Sequence, residues 1–283
     1  MDDNRHVTEP GEGDIERMAM DPYEAVEEDI QAWLNASLNP RGPESLFDYL
    51  GDFALGNQSV VLDLGCDRGD FSFALNQRFG WRVVGVDIDP YYIEQAEKRA
   101  RNDGRERSAS FRVGSAENIP ADSGSFDAVW CRDVLELVDD LDATYREIFR
   151  VLKPGGMALI YTMYATDLLE PREASALYTG LSDVKARSMA PGSHDDAIGR
   201  SGLNIVLREV LSSEWGEFAA ETTGKPAQCL LQVARLLRSK ESFVRQFGES
   251  NYEIAIADRL WHVYRMIGKL SGLIYVLQKP AHA

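Results

Sequence analysis

The sequence predicts an α/β protein whose core is a seven-stranded, mostly parallel sheet with helices on both faces. The first observation is that short, β-branched apolar runs alternate with helical patterns from Ser59 onward. The second is that these runs are continuously apolar, which is typical of parallel strands buried on both faces. The third is that about 60 residues of largely helical pattern separate Leu211 from Ser271, which predicts a helical insertion before the last strand.

The elements follow one another in a regular order. The predicted strands are Ser59–Gly65, Arg82–Ile88, Ser110–Ser115, Phe126–Cys131, Met157–Thr162, Leu203–Leu211 and Ser271–Lys279. The predicted core helices are Phe71–Phe79, Pro90–Asn102, Leu141–Leu152 and one around Glu173–Leu181. The insertion holds two amphipathic helical patterns, from Leu230 to Phe247 and from Ala257 to Ile267. Since such sheets bind ligands at the carboxyl ends of their strands, the turns after the first four strands are expected to form the site.

Five regions are expected along the chain. Residues 1–20 are rich in Gly, Pro and charge and predict a disordered tail. Residues 21–57 predict an N-terminal helical cap of two helices, and residues 58–225 the core. Residues 226–269 are expected to form a helical lid over the site, and residues 270–283 the last strand and a tail.

The acidic composition limits the classes of partner. The 283 residues carry a net charge of −16, with no stripe of Lys or Arg, so nucleic acid and anionic membranes are not expected as partners. The cysteines Cys66, Cys131 and Cys229 lack zinc-site spacing, so no metal is expected. No apolar run has the length of a membrane span or signal peptide, which predicts a cytoplasmic protein.

The first strand leads into a turn with the features of a ligand site. Asp63 lies on the strand, and Gly65 and Gly69 lie on the turn into the next helix. Glycines allow a ligand to approach the backbone closely, and the first turn of a helix offers free N–H groups to an anionic group. This pattern alone also fits a simple strand-to-helix turn.

Two acids after the next strands strengthen the interpretation. Asp87 ends the second strand, 22 residues after Gly65, where a carboxylate can accept both hydroxyls of a ribose. Ile88 follows and can lie against a base, and Glu117 follows the third strand at the height of an adenine amino group. The sequence therefore favours a nucleotide-type ligand.

The set of motifs identifies the kind of ligand. The first turn reads G-C-D-R-G rather than the G-x-G-x-x-G of nicotinamide-binding proteins. The segments DLGCDRGDFS, VVGVDIDP, GSAENIPADSGSFDAVWCRDVLELV and VLKPGG, in that order and spacing, resemble the class I S-adenosylmethionine (SAM) dependent methyltransferases. The likeness is strongest to the branch that methylates quinones and natural-product intermediates, and it spans about Ser59 to Thr162. It implies a Rossmann-like fold and SAM as the cofactor.

The resemblance also implies a role for each site residue. The methionine part of SAM would be held by residues of two turns, namely Gly65, Cys66, Gly69, Cys131 and Arg132, with Asp63 supporting the first turn. The adenosine part would be held by Asp87 at the ribose, Ile88 at the adenine face, and Ser115, Ala116 and Glu117 at the adenine edge.

Two positions depart from the family pattern. Asp67 stands where the family usually has Gly. Asp tolerates a left-handed backbone better than most residues, so the turn can still form. The charge of Asp67 would attract the ammonium group of the methionine part or repel its carboxylate. Leu137 stands where many relatives carry a His, so a base is missing from its usual place. A base is needed only if the nucleophile must lose a proton. His194 and Tyr164 are the candidate catalytic residues, although His194 also fits a helix start.

The leading interpretation is therefore a methyltransferase that acts on a small molecule, with the acceptor atom (O, N or C) left open. One alternative is a SAM-fold protein without methyl transfer, either a cyclase or lyase or a binding partner of another enzyme. A protein or nucleic-acid methyltransferase is disfavoured because no Asn/Asp-Pro-Pro-Tyr motif follows the fourth strand. The apolar faces of the inserted helices fit either a lid or a homodimer interface.

Overall fold

The computed structural model describes residues 22–282. Its strands are β1 (Val60–Leu64), β2 (Arg82–Asp87), β3 (Ala109–Val113), β4 (Phe126–Arg132), β5 (Leu152–Ala165), β6 (Asn204–Ser212) and β7 (Leu270–Gln278). Its helices are α1 (Pro22–Asn35), α2 (Leu46–Leu50), α3 (Asp70–Phe79), α4 (Pro90–Asn102), α5 (Leu141–Val151), α6 (Pro171–Gly180), α7 (Ser193–Ser201), α8 (Glu214–Thr223), α9 (Lys225–Arg238), α10 (Lys240–Phe247) and α11 (Glu249–Met266).

The seven strands form one sheet in the order β3-β2-β1-β4-β5-β7-β6. Strands β1 to β5 pair in parallel, and β7 pairs antiparallel with both β5 and β6. The predicted seven-stranded, mostly parallel sheet is therefore confirmed. The strand order reverses between β1 and β4, which places the binding crevice above their carboxyl ends.

Successive strand residues supply two apolar layers, one on each face of the sheet. In β4, Val129 packs in one layer with Tyr145 of α5, while Trp130 packs in the other with Phe47 of α2. The Trp130 and Phe47 rings stack with their centroids 5.1 Å apart. Because both faces are covered, the strands read as continuous apolar runs in the sequence.

The helical insertion differs from the prediction of two helices. Four helices, α8 to α11, lie between β6 and β7, a stretch that is described throughout. The pattern from Leu230 to Phe247 is broken at Ser239, whose backbone is not helical, and Gly224 in a left-handed conformation separates α8 from α9. The apolar spacing in the sequence continues across Ser239, so periodicity alone did not show the break, and the helix after it has no buried residue.

Helix α11 is packed into the body of the protein. Its residues Ala257 and Tyr264 are buried in the same apolar layer as Trp130. A Cβ at Gly180, the last residue of α6, would collide with Ala257 and with the carbonyl of Glu253. The insertion is thus built on the core through α11.

The N-terminal part of the described chain falls into a separate unit. Residues up to Asn39 form one unit, which contains α1, and residues from Pro40 onward form the other. The boundary divides the cap predicted over residues 21–57, and the predicted tail, residues 1–20, lies outside the described residues. Among the described helices, none has the length and apolarity needed to cross a membrane.

Candidate active site

The turn after β1 depends on two glycines with left-handed backbones. Gly65 has a φ of 79° and Gly69 a φ of 82°. A Cβ on Gly65 would collide with the side chain of Val134, and one on Gly69 would lie 2.9 Å from Cζ of Phe111. These positions therefore exclude side chains for two reasons, backbone conformation and lack of space.

Asp87 ties this turn to the end of β2. Its Oδ2 accepts a hydrogen bond from the backbone N–H of Asp67 at 2.9 Å, and its Oδ1 accepts one from the N–H of Asp89 at 2.9 Å. The N–H groups of Gly65 and Cys66 donate to the carbonyl of Val86 at 2.7 and 3.0 Å. The carboxylate predicted to bind a ribose is thus held in place before any ligand arrives.

Asp67 keeps the left-handed conformation that the family's Gly would supply. Its φ is 47°, and its side chain is 65% exposed. The nearest cationic nitrogen that pairs with it is Nε of Arg68, at 3.8 Å. The backbone of Asp67 therefore serves the turn, while its carboxylate faces solvent.

Asp63 is a buried acid beneath the turn. Its Oδ2 accepts a hydrogen bond of 2.5 Å from Oγ of Ser72 in α3. Burial, together with the nearby charge of Asp87, raises the pKa of Asp63 to about 7, although the Ser72 hydrogen bond opposes the shift. This pair fixes the start of α3 against β1, as expected of a supporting residue.

The residues predicted for the adenosine part lie along the ends of β2 and β3. The Ile88 side chain is 73% exposed beside Asp87, an apolar surface available to a planar base. Ser115 pairs with Asn118 in an isolated bridge, and Oγ of Ser115 accepts from the N–H of Glu117 at 3.1 Å. The Glu117 carboxylate accepts from the N–H of Asp140 at 2.7 Å, so one of its oxygens holds the start of α5.

The residues predicted for the methionine part lie in the turn after β1 and at the end of β4. Arg132 lies 4.5 Å from the Phe71 ring centre, and its Nε donates to Asp133 at 3.0 Å. The thiols of Cys66 and Cys131 are buried, and burial raises the pKa of both. They are therefore neutral packing groups at neutral pH, and the roles of the turn and of Arg132 toward a ligand stay predictions.

The two candidate catalytic residues lie in different surroundings. Tyr164 is half-buried near the end of β5, where it pairs with Ser271 of β7. His194 lies in α7, only 2% exposed, with its Nδ1 3.0 Å from the hydroxyl of Tyr145. Burial lowers the pKa of His194 to about 4, so it is neutral at neutral pH. The structure does not bring the two together through any contact between described residues, and both roles stay predictions.

The structure also reveals a polar cluster that the sequence did not single out. Glu136 is buried just after β4, and its Oε2 accepts a hydrogen bond from Oγ1 of Thr162 at 3.1 Å. Burial and the charge of Asp133 raise the pKa of Glu136 well above its usual range. Arg265 of α11 donates to the hydroxyl of Tyr161 at 3.4 Å. The position of Glu136, directly before the unusual Leu137, was a signal in the sequence that could have indicated this cluster. No sequence pattern indicated Arg265.

The chain is similar to known methyltransferases over this region. Residues 62–160 match a family model described as a methyltransferase domain. A ubiquinone biosynthesis O-methyltransferase of Xanthomonas oryzae pv. oryzae is 32% identical over 198 residues, which cover 66% of this chain and 76% of that enzyme. A sterol 24-C-methyltransferase of Aspergillus fumigatus is 36% identical over 107 residues, covering 38% of this chain and 28% of that enzyme. The solved structure of a geranyl diphosphate methyltransferase in complex with SAM has a TM-score of 0.61 at 20% identity and covers 83% of each chain.

Proposed function

This chain belongs to the class I SAM-dependent methyltransferases, and on that premise we propose that it transfers the methyl group of SAM to O, N or C of a small organic acceptor rather than to a protein or a nucleic acid. The observation that carries the proposal is the Asp87 carboxylate, held between the N–H groups of Asp67 and Asp89 at the carboxyl end of β2, the strand beside the switch point of the sheet. A preformed acid at this point fits a ligand with a ribose.

The residues around the turn fit SAM in charge and shape. Asp87 would accept from the ribose hydroxyls, and the exposed face of Ile88 would cover the adenine, with Ser115, Ala116 and Glu117 along its edge. Gly65, Cys66 and Gly69 would hold the methionine part together with Cys131 and Arg132, while Asp63 supports the turn. These assignments are proposals that rest on the geometry of the turns.

Methyl transfer requires the protein mainly to align the reacting atoms and to exclude water. When bound, SAM supplies an activated methyl group on a sulfonium. The protein must place the acceptor atom in line with that methyl group, which lowers the entropy cost of reaction. Aromatic side chains flank Arg132 at the end of β4, since its guanidinium lies 4.5 Å from the ring centre of Phe71 and 5.9 Å from that of Trp215. His194 and Tyr164 remain the proposed proton acceptors if the acceptor must lose a proton.

A small molecule is supported by charge and by the relatives. A chain with a net charge of −16 is unsuited to polyanionic nucleic acid. The relatives include a ubiquinone biosynthesis O-methyltransferase and a sterol 24-C-methyltransferase, which supports a natural-product acceptor. One observation favours a second candidate, a SAM-binding protein without methyl transfer: the side chain at the usual His position, Leu137, is 43% exposed and cannot act as a base.

A labelling experiment tests the proposal. The protein is incubated with methyl-labelled SAM and a cell extract, and the label is followed into low-mass and macromolecular fractions. We expect label in the low-mass fraction that Asp87→Ala abolishes and that the exposed-acid control Asp103→Ala retains. Label in protein or nucleic acid would refute a small-molecule acceptor. SAM binding without any transfer would favour the second candidate.

A further inference from the structure

Arg265 lies in the last turn of α11. The backbone there is fixed by α8, because a Cβ on Gly216 would lie 2.7 Å from Cα of Met266 and 3.1 Å from the carbonyl oxygen of Arg265. The side chain is half-buried, and its Nη2 lies 3.4 Å from the hydroxyl of Tyr161, a fully enclosed residue of β5. The guanidinium thus points toward the sheet.

This guanidinium lacks an acidic partner in the part of the chain that the structure describes. No described carboxylate lies within 4.0 Å of its nitrogens, whereas the comparably half-buried Arg132 and Arg150 pair with Asp133 and Glu147 at 3.0 and 2.7 Å. A cation in an enclosed site is normally paired, since desolvation without a partner is unfavourable. The geometry leaves donors of Arg265 available for an anion.

A second donor beside the same tyrosine is also unsatisfied. The indole Nε1 of Trp215 in α8 is buried and has no hydrogen-bond partner among the described residues. Its ring stacks on Tyr161, with centroids 4.2 Å apart and an angle of 23° between the planes. Leaving such a buried donor unpaired is unfavourable, so an acceptor supplied by a ligand would be stabilised here.

The surrounding charges limit the anion to a single negative charge. Glu136 is the buried acid whose field reaches Arg265, and Asp133 lies on the same side. Arg132 adds a second positive charge near Tyr161 but is already paired with Asp133. A carboxylate, with its single negative charge, matches the one unpaired guanidinium of Arg265.

The position separates this subsite from the predicted methionine-binding turn after β1. Tyr161 lies on β5, two strands from the β1 turn at Gly65, which is roughly 10 Å across the sheet. It is aligned with Arg132 at the end of β4 in the parallel register. A group bound there would belong to a second ligand beside the cofactor.

We propose that Arg265 and the Nε1–H of Trp215 bind a carboxylate carried by the methyl acceptor. The assignment rests on the proposed small-molecule methyl transfer, and it makes the acceptor an organic acid. Trp215 and Tyr161 stack beside the two donors, so an aryl carboxylate matches the charge of Arg265 and the aromatic character of its surroundings.

Benzoate and benzamide serve as matched probes, because they share a ring and differ in charge. Each is titrated into the full-length protein, with and without S-adenosylhomocysteine, and thermal stability is measured. We expect saturable stabilisation by benzoate and not by benzamide. Arg265→Gln should weaken benzoate binding by roughly 10-fold or more, and Trp215→Phe, which keeps the stacking ring, by several-fold.

The control is Arg259→Gln on the same helix, since Arg259 is paired with Asp258 at 3.0 Å and should leave benzoate binding unchanged. Absence of benzoate binding in the wild-type protein, or equal binding by Arg265→Gln, overturns the subsite. A loss of SAM affinity in Arg265→Gln would assign the arginine to the cofactor instead, which also overturns it. Failure of the wild-type protein to bind SAM at all would refute the proposed function and not the anion site.

Discussion

The backbone N–H of Asp67 lies 2.9 Å from Oδ2 of Asp87, joining the turn after β1 to the end of β2. The two residues are 20 positions apart: Asp87 ends β2, and Asp67 lies in the turn that follows the adjacent parallel strand β1. A residue proposed to bind the ribose therefore also fixes the turn proposed to bind methionine. The two halves of the cofactor site are mechanically connected.

Asp87→Ala should weaken SAM binding by roughly 10- to 10³-fold, because both the ribose acceptors and the hydrogen bond to the turn are lost. Asp87→Asn keeps an oxygen that can accept the hydrogen bond from the turn. Its SAM affinity should therefore lie between those of the wild-type protein and Asp87→Ala. Isothermal calorimetry measures both variants, with Asp103→Ala as the exposed control. Unchanged affinity in a folded Asp87→Ala protein would exclude the ribose role.

Asp67→Gly separates backbone strain from charge. The left-handed φ of 47° costs a non-glycine residue about 1 kcal/mol, so this change should raise the free energy of unfolding slightly. Asp67→Ala keeps the backbone strain and should not raise the free energy of unfolding. Since the carboxylate is 65% exposed, we expect SAM affinity to change little in either variant. A marked tightening would instead show repulsion of the methionine carboxylate, and a loosening would show contact with the ammonium.

Asp63→Asn should remove a specific pH dependence of stability. The pKa of Asp63 is about 7 in the folded protein against 3.8 for the free side chain. The folded state therefore holds a proton that the unfolded state has lost, so stability contributed by Asp63 is greatest at low pH and disappears as pH rises toward 7. The wild-type minus variant difference in unfolding free energy should fall by up to about 1.4 kcal/mol per pH unit in this window.

Chemical denaturation across this pH range measures the difference. Ser72→Ala keeps the carboxyl group and should keep the slope. A difference between wild type and Asp63→Asn that stays constant with pH would contradict the buried, protonated state.

Tyr264→Ala tests whether the insertion is part of the core. Tyr264 is buried in the apolar layer shared with Trp130, so its truncation should cost about 3 kcal/mol of unfolding free energy. Leu230 of α9 is 56% exposed, and Leu230→Ala should cost less than about 0.5 kcal/mol. Equal, small effects would show that α11 can detach as an independent lid.

The sequence alone predicted the alternation of strands and helices, the glycine turn, and the acid after β2. These features are local, since glycine conformations, apolar runs and the short spacing from Gly65 to Asp87 are set by residues close together in the chain. The number of inserted helices was not predictable in the same way. A single non-helical residue, Ser239, ends α9 without changing the apolar period.

Only the tertiary structure decided which side chains meet beyond the cofactor turns. Arg265 and Tyr161 are 104 positions apart, and neither belongs to a motif. They meet because β7 pairs antiparallel with β5, and because α11, the helix immediately before β7, packs against α8. Such a contact depends on the geometry of packed elements, and no local pattern of residues encodes it, whereas the cofactor turns are encoded by the conformations that their own residues allow.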